Sequence, residues 1–166
     1  MTDYIQTYSS PLGNLRMASD GEALVGLWFE GQRHYGDTLK PEAVEARLPV
    51  FDQAVRWLDL YFGGEIPDFT PPLHLRGTAF RRQVWELLLQ VPYGETSTYG
   101  ALARLLAEQT GRPAGQLARA VGGAVARNPV SLIVPCHRIL AAGGSLTGYA
   151  AGLERKAALL ELEKIK

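Results

Sequence analysis

Three prolines within eight residues, in the run Ile66-Pro67-Asp68-Phe69-Thr70-Pro71-Pro72-Leu73, follow Gly63-Gly64 and interrupt this 166-residue chain short of its midpoint. Proline locks φ and donates no backbone hydrogen bond, and paired glycines end periodic structure, so neither a helix nor a central strand can run through this stretch. We therefore expect an α+β protein of two small domains, residues 1–72 and 73–166.

Before the break the pattern is that of strands followed by a helix. Tyr4 to Ser9 alternates, Pro11-Leu12-Gly13-Asn14 is turn chemistry, Leu15 to Ala18 resumes, Asp20-Gly21 turns again, and Ala23 to Phe29 is a third apolar run. Such spacing predicts an antiparallel β-meander. From Pro41 to Phe62 the apolar residues Val44, Leu48, Phe51, Val55, Leu58 and Phe62 recur every three or four positions, which predicts one amphipathic helix packed on the meander.

Beyond the break, helix signals dominate. Thr78 can cap a helix with Phe80, Val84, Leu87, Leu88 and Val91 on its apolar face, stopped by Pro92-Tyr93-Gly94. Ser97 or Thr98 can cap a second, through Leu102, Leu105 and Leu106 toward Gly111-Arg112-Pro113. A third, from about Gly115 to Ala126, must end before Asn128-Pro129, because a residue preceding proline is pushed out of the helical region. The second and third form a helix-turn-helix pattern.

Net charge is zero, yet residues 1–76 carry 6 Lys/Arg against 11 Asp/Glu and residues 77–166 carry 11 against 6. Halves of −5 and +5 either reflect ordinary surface charge or fit the second half for a polyanion. One cysteine cannot close an intramolecular disulfide, and with three scattered histidines, His34, His74 and His137, it cannot form a familiar zinc site. No metal is expected. No apolar run approaches the roughly 18 residues of a membrane span, and Met1-Thr2-Asp3-Tyr4 lacks the layout of a secretory signal, so a cytoplasmic protein without membrane contact is expected.

Two features carry chemistry. The segment Leu117-Ala118-Arg119-Ala120-Val121-Gly122-Gly123-Ala124-Val125-Ala126 is almost all small residues, although each mid-helix glycine costs about 1 kcal/mol relative to alanine. Either close helix packing needs the missing side chains, or the helix enters a nucleic-acid groove; the minor groove is only about 6 Å wide. In the second case Arg119 alone is long enough to reach the base stack. The sole cysteine lies in Pro135-Cys136-His137-Arg138. A lone cysteine can be a small buried hydrophobe, but beside a base it is a candidate nucleophile. In an extended segment His137 would point away from Cys136, so coupling needs a turn or a bridging water.

In order along the chain, Ser10-Pro11-Leu12-Gly13, Phe80-Arg81-Arg82-Gln83-Val84-Trp85, Pro92-Tyr93-Gly94-Glu95-Thr96, Ala118-Arg119-Ala120-Val121-Gly122, Asn128-Pro129, Ile133-Val134-Pro135-Cys136-His137-Arg138 and Gly143-Gly144 through Gly148-Tyr149 resemble the O6-alkylguanine-DNA alkyltransferases, also called methylated-DNA–protein-cysteine methyltransferases. This resemblance spans nearly the whole chain. It implies irreversible transfer of an alkyl group from guanine O6 to Cys136, without a cofactor, on double-stranded DNA whose damaged base is turned out of the helix. A monomer is expected.

By the same resemblance, His137 would deprotonate Cys136 through a water, Glu163 would orient the imidazole, and Asn128 would hold the nucleophile's segment. Tyr99 would donate a hydrogen bond to the leaving base. Arg119 would fill the vacated place in the stack, with Gly122 and Gly123 against the minor groove. Backbone groups near Cys136, Ile139 and Ala150 would read the guanine edge, Tyr149 would wall the pocket, and Arg138 would join the substrate- and DNA-contacting set. Two departures stand out. The stretch Ala107 to Gln116 lengthens the connection between Tyr99 and Arg119, and Ala150 stands where some members have serine. Competing readings are a lesion-sensing relative that binds without transfer, which would lack the reactive cysteine, and an unrelated Cys-His hydrolase, which would not need Arg119.

Overall fold

A computed structural model describes residues 2–164; Met1 at the head of the amino-terminal segment, and residues 165 and 166 at the end of the second half, lie outside the described residues. Strands β1 (Tyr4–Ser10), β2 (Gly13–Ser19) and β3 (Leu24–Phe29) form the expected antiparallel meander. A two-residue turn joins the first pair, with Ser10 Oγ donating to the Gly13 carbonyl at 2.6 Å. Every residue of β3 is buried because both sheet faces are covered. Leu24, Leu27 and Phe29 enter the main core, while Val25 and Trp28 pack with Ala18 under Ile5, Tyr35 and Leu39.

The helix expected from Pro41 begins only at Pro49. Residues Val44–Glu45 form a short strand, β4, parallel to β1, and the helix α1 spans Pro49–Phe62. Val44 and Leu48 mimic helical spacing, but the free edge of β1 accepts their segment instead: Val44 N–H donates to the Asp3 carbonyl at 3.0 Å and Ala46 N–H to Ile5 at 3.2 Å. Leu48 precedes a proline and is extended, at φ −136° and ψ 149°, and Pro49 sits where a helix tolerates a missing N–H.

Helix α2 (Ala79–Leu88) is capped by Thr78, whose Oγ1 accepts from Arg81 N–H. It stops short of Val91, which lies in the following turn. Strand β5 (Ser97–Thr98) leads into α3 (Tyr99–Thr110), capped by Thr98, and α4 (Ala114–Ala126) follows. Residues Ala107 to Thr110 form the last turn of α3, so the helix-turn-helix connection itself is Gly111-Arg112-Pro113, with Gly111 in the left-handed region at φ 74°. A single turn at Cys136–Arg138, a short strand β6 (Ile139–Leu140) parallel to β5, and helix α5 (Leu153–Lys164) complete the chain.

Two segments run along the outer edge of β3. Leu24 N–H donates to Pro72 O and His74 N–H to Leu24 O, while Leu27 N–H donates to Pro129 O and Ser131 N–H to Leu27 O. The second of these segments leads directly to Cys136, so the meander is the base on which the cysteine segment lies. The main cluster of buried side chains is continuous across both halves, from Leu15 and Phe51 to Trp85, Val121 and Val134. Among the described residues no helix is long and apolar enough to cross a membrane.

Candidate active site

The path from the sheet to the cysteine is tightly coiled. Leu132 has φ 71°, an uncommon conformation for a branched side chain, and Cys136 N–H donates to Val134 O at 2.8 Å. Asn128 organises this coil: its Oδ1 accepts from Val130 N–H at 3.0 Å, and its Nδ2 donates to Val134 O at 2.8 Å and to Cys136 Sγ at 3.2 Å. The thiol is 4% exposed. Burial raises its pKa above the ordinary value, opposed by the Asn128 hydrogen bond and the Lys156 charge.

His137 is fully buried, and its Nε2 lies 2.6 Å from Glu163 Oε2. Glu163, from the last turns of α5, is not a solvated helix residue but the hub of a network. Oε1 accepts from Gly94 N–H at 3.0 Å and Arg138 Nε at 2.8 Å, and Oε2 accepts from the Tyr61 hydroxyl at 2.6 Å and Arg138 Nη2 at 3.2 Å. Burial alone would raise the Glu163 pKa, but the hydrogen bonds it accepts from His137, Arg138 and Tyr61 outweigh it and hold the carboxyl near 2. With Glu163 ionised, the imidazole nitrogen facing it carries the proton. Nδ1, buried and without a hydrogen-bond partner among the described residues, is then the basic nitrogen. Burial, against the pull of Glu163, lowers the His137 pKa, so thiol and imidazole are both neutral at rest.

Arg138, expected among substrate contacts, is turned inward. Beyond its two bonds to Glu163 it donates Nη1 to Val91 O at 2.7 Å and lies over the Tyr93 ring, 5.6 Å from the centroid. A buried guanidinium needs a carboxylate, and Glu163 is the one it meets. The backbone of Ile139 is also engaged, its N–H by Cys136 O and its carbonyl by Lys156 Nζ at 2.5 Å. A carbonyl has a second lone pair, so Ile139 O can still accept.

The loop from Ala141 to Gly152 brings Tyr149 near the thiol. Lys156, fully buried, also donates to Thr147 O at 2.7 Å, and the half-buried Tyr99 donates to the same carbonyl at 3.4 Å. Gly148 is needed here: its φ is 62°, and a Cβ would lie 3.1 Å from the Tyr99 hydroxyl. Tyr149 is 8% exposed, its hydroxyl without a partner among the described residues. The amino-terminal half is tied to this loop by Arg33 N–H, which donates to Ala150 O at 3.0 Å, and to the start of α5 by Arg155 Nε, which donates to Leu12 O at 2.9 Å. A cavity of about 430 Å³, lined by Gly94, Leu140, Leu146 and Glu163 among others, abuts the network but does not reach Cys136.

Helix α4 is seated by Leu117, Val121, Ala124 and Val125 and by Trp85 Nε1, which donates to Ala124 O at 2.8 Å. Arg119 is exposed on its outer side. A Cβ built on Gly122 meets nothing within 4 Å, and one on Gly123 meets only the Arg127 guanidinium at 3.8 Å. Packing within the chain therefore does not require these glycines. Two members of the site escaped sequence reasoning, Tyr61 and Lys156. The pattern placed Tyr61 in an amphipathic helix, and its partner Glu163 lies 102 residues away; the available signal is that a buried tyrosine hydroxyl must find a partner.

Residues 4–75 match the family described as 6-O-methylguanine DNA methyltransferase, ribonuclease-like domain, and residues 79–165 match its DNA binding domain. The methylated-DNA–protein-cysteine methyltransferase of Mycobacterium leprae is 46% identical over 97% of this chain and 92% of its own, and that of Haemophilus influenzae is 42% identical over 98% and 87%. Among solved structures, the Mycobacterium tuberculosis OGT in complex with DNA superposes with a TM-score of 0.83 at 43% identity, covering 98% of this chain and 93% of that one. Matched in both halves and over nearly its full length, the chain belongs to the 6-O-methylguanine DNA methyltransferase family, the methylated-DNA–protein-cysteine methyltransferases.

Proposed function

We propose that this protein repairs O6-alkylguanine in double-stranded DNA by taking the alkyl group onto Cys136 in one irreversible step. The observation that carries the reading is the buried relay in which Asn128 holds the sole cysteine and an ionised Glu163 holds the Nε2–H of the adjacent histidine. His137 Nδ1 takes the thiol proton through a water, and Sγ attacks the O6-alkyl carbon. The carbon–oxygen bond breaks with its electron pair going to guanine. Tyr99 donates to the base as that charge develops. The product thioether has no route back to thiol, so each molecule acts once, as a monomer, in a reducing compartment where the thiol persists.

Delivery of the base rests on α4. Its outer side offers no bulk at Gly122 and Gly123, which supports close approach to the minor groove, with Arg119 entering the stack as the base leaves it. Tyr149 then walls the pocket and backbone groups of Cys136, Ile139 and Ala150 face the guanine edge.

The test is to incubate the protein with a duplex containing one O6-methylguanine and to measure intact and peptide masses. One methyl group on the peptide containing Cys136, stoichiometric and abolished in Cys136→Ala, is expected. Lesion binding without any mass change overturns the transfer reading in favour of a sensor, and repeated turnover of a thioester without DNA favours a hydrolase.

A further inference from the structure

Tyr61 stands on α1, in the half that carries neither the cysteine nor the helix-turn-helix, yet it is fully buried against the catalytic pair. Its hydroxyl donates to Glu163 Oε2 at 2.6 Å, the same oxygen that accepts from His137 Nε2, and it lies 3.4 Å from that nitrogen. Its ring is held by Trp57, stacked at 5.2 Å between centroids, and by the edges of Phe62 and Tyr93. The phenol therefore has little freedom to point elsewhere.

We propose that Tyr61 is a positioning residue for proton transfer: by donating to Glu163 Oε2 alongside His137 Nε2–H, it limits how strongly the carboxylate pulls on the imidazole. A carboxylate oxygen shared among donors, here His137 Nε2, Tyr61 and, more distantly, Arg138 Nη2, is a weaker acceptor for each. Together with burial, which acts most strongly, the sharing favours a neutral His137 with Nδ1 free as the base over an imidazolium. The groups around the pair come from every element packed on it: Glu163 and Lys156 from α5 and Arg138 from its own turn act on His137, Tyr61 from α1 faces it at 3.4 Å, and Tyr93 from the turn after α2 and Tyr149 from the loop lie near Glu163. Among them Tyr61 alone is uncharged and bonded to the same oxygen as His137. The first half of the chain thus completes the relay as well as supporting the cysteine segment.

This inference rests on the reading of His137 as the base for Cys136. Two variants at position 61 probe it, Tyr61→Phe, which removes the hydroxyl at constant ring volume, and 3,5-difluorotyrosine, a stronger donor of nearly the same shape. In each, His137 is titrated by nitrogen-15 NMR, and methyl transfer from an O6-methylguanine duplex is followed across pH. Tyr61→Phe should move the His137 midpoint and the acid limb of the rate up by about half a unit or more. On the acid limb, transfer relative to plateau should then be about threefold below that of the wild type at the same pH. Difluorotyrosine should move both down. Unchanged midpoints in the folded variants, or an Nδ1–H tautomer in the wild type, overturn the proposal. Absence of methyl on wild-type Cys136 instead overturns the reading beneath it. Should Tyr61→Phe not fold, the difluorotyrosine protein decides alone.

Discussion

Asn128 Nδ2 lies 3.2 Å from Cys136 Sγ while also donating to Val134 O at 2.8 Å, so one buried amide sets both the course of the chain and the place of the sulfur. The two residues are eight positions apart, and the coil between them, with Leu132 at φ 71°, is what brings them together.

Asn128→Ala should therefore lose twice. It leaves Val130 N–H buried without its acceptor, a cost of about 1–3 kcal/mol, while Val134 O loses one of two donors and keeps Cys136 N–H. It also removes the donor that supports sulfur charge, for which a rate loss of about 100-fold is expected, by analogy with deletion of a transition-state donor. Thermal melts and single-turnover transfer kinetics separate the two losses.

The rate of transfer should be level over a broad pH range. Burial lowers His137 below its ordinary 6.5 and raises Cys136 above its ordinary 9.0, so between those limits the protonation states of both are constant. Transfer should fall in acid only as His137 protonates, below pH 6.5. A bell centred near neutrality in single-turnover kinetics would contradict this.

Stability should decline in acid. Glu163 is held near pH 2 in the folded protein, below its ordinary 4.5, so its contribution is complete above the unfolded value and is lost as pH falls from 4.5 toward 2. Asp20, hydrogen-bonded to His74, is lowered from 3.8 to about 2 and adds a loss as pH falls from 3.8 toward 2. Glu163→Ala leaves the Arg138 guanidinium buried without its carboxylate, and a loss of about 3–5 kcal/mol is expected from denaturant unfolding at pH 7. Its stability should also vary less with pH between 4.5 and 2.

Gly122 should separate folding from DNA binding. Because a Cβ there meets nothing, Gly122→Ala should raise stability by up to about 1 kcal/mol, through helix propensity alone. Gly122→Leu should fold as well as the wild type yet bind duplex DNA at least tenfold more weakly by fluorescence anisotropy. Equal affinity would remove α4 from the groove.

The strands, the caps and the breaks were legible along the chain because they are local: turn residues, Thr78 and Thr98 before apolar periods, and proline after Asn128 each act within a few positions. The start of α1 at Pro49 was legible in principle too, from the proline itself, but the helical spacing of Val44 and Leu48 competed with it. That contest was settled by the edge of β1, which no local pattern records.

The nucleophile and its histidine were visible as neighbours in sequence, and the family motifs pointed to Asn128 and Glu163. What only the tertiary structure decided is which groups share the carboxylate. Arg138 turned inward because a buried carboxylate and a buried guanidinium compensate each other's lost hydration, and Tyr61 joined them from the opposite half of the chain. Sequence determines the chemical types available to the site. Burial, created when α1 and α5 close around His137 and the cysteine turn, decides their protonation, because the cost of a charge depends on the surroundings that folding supplies.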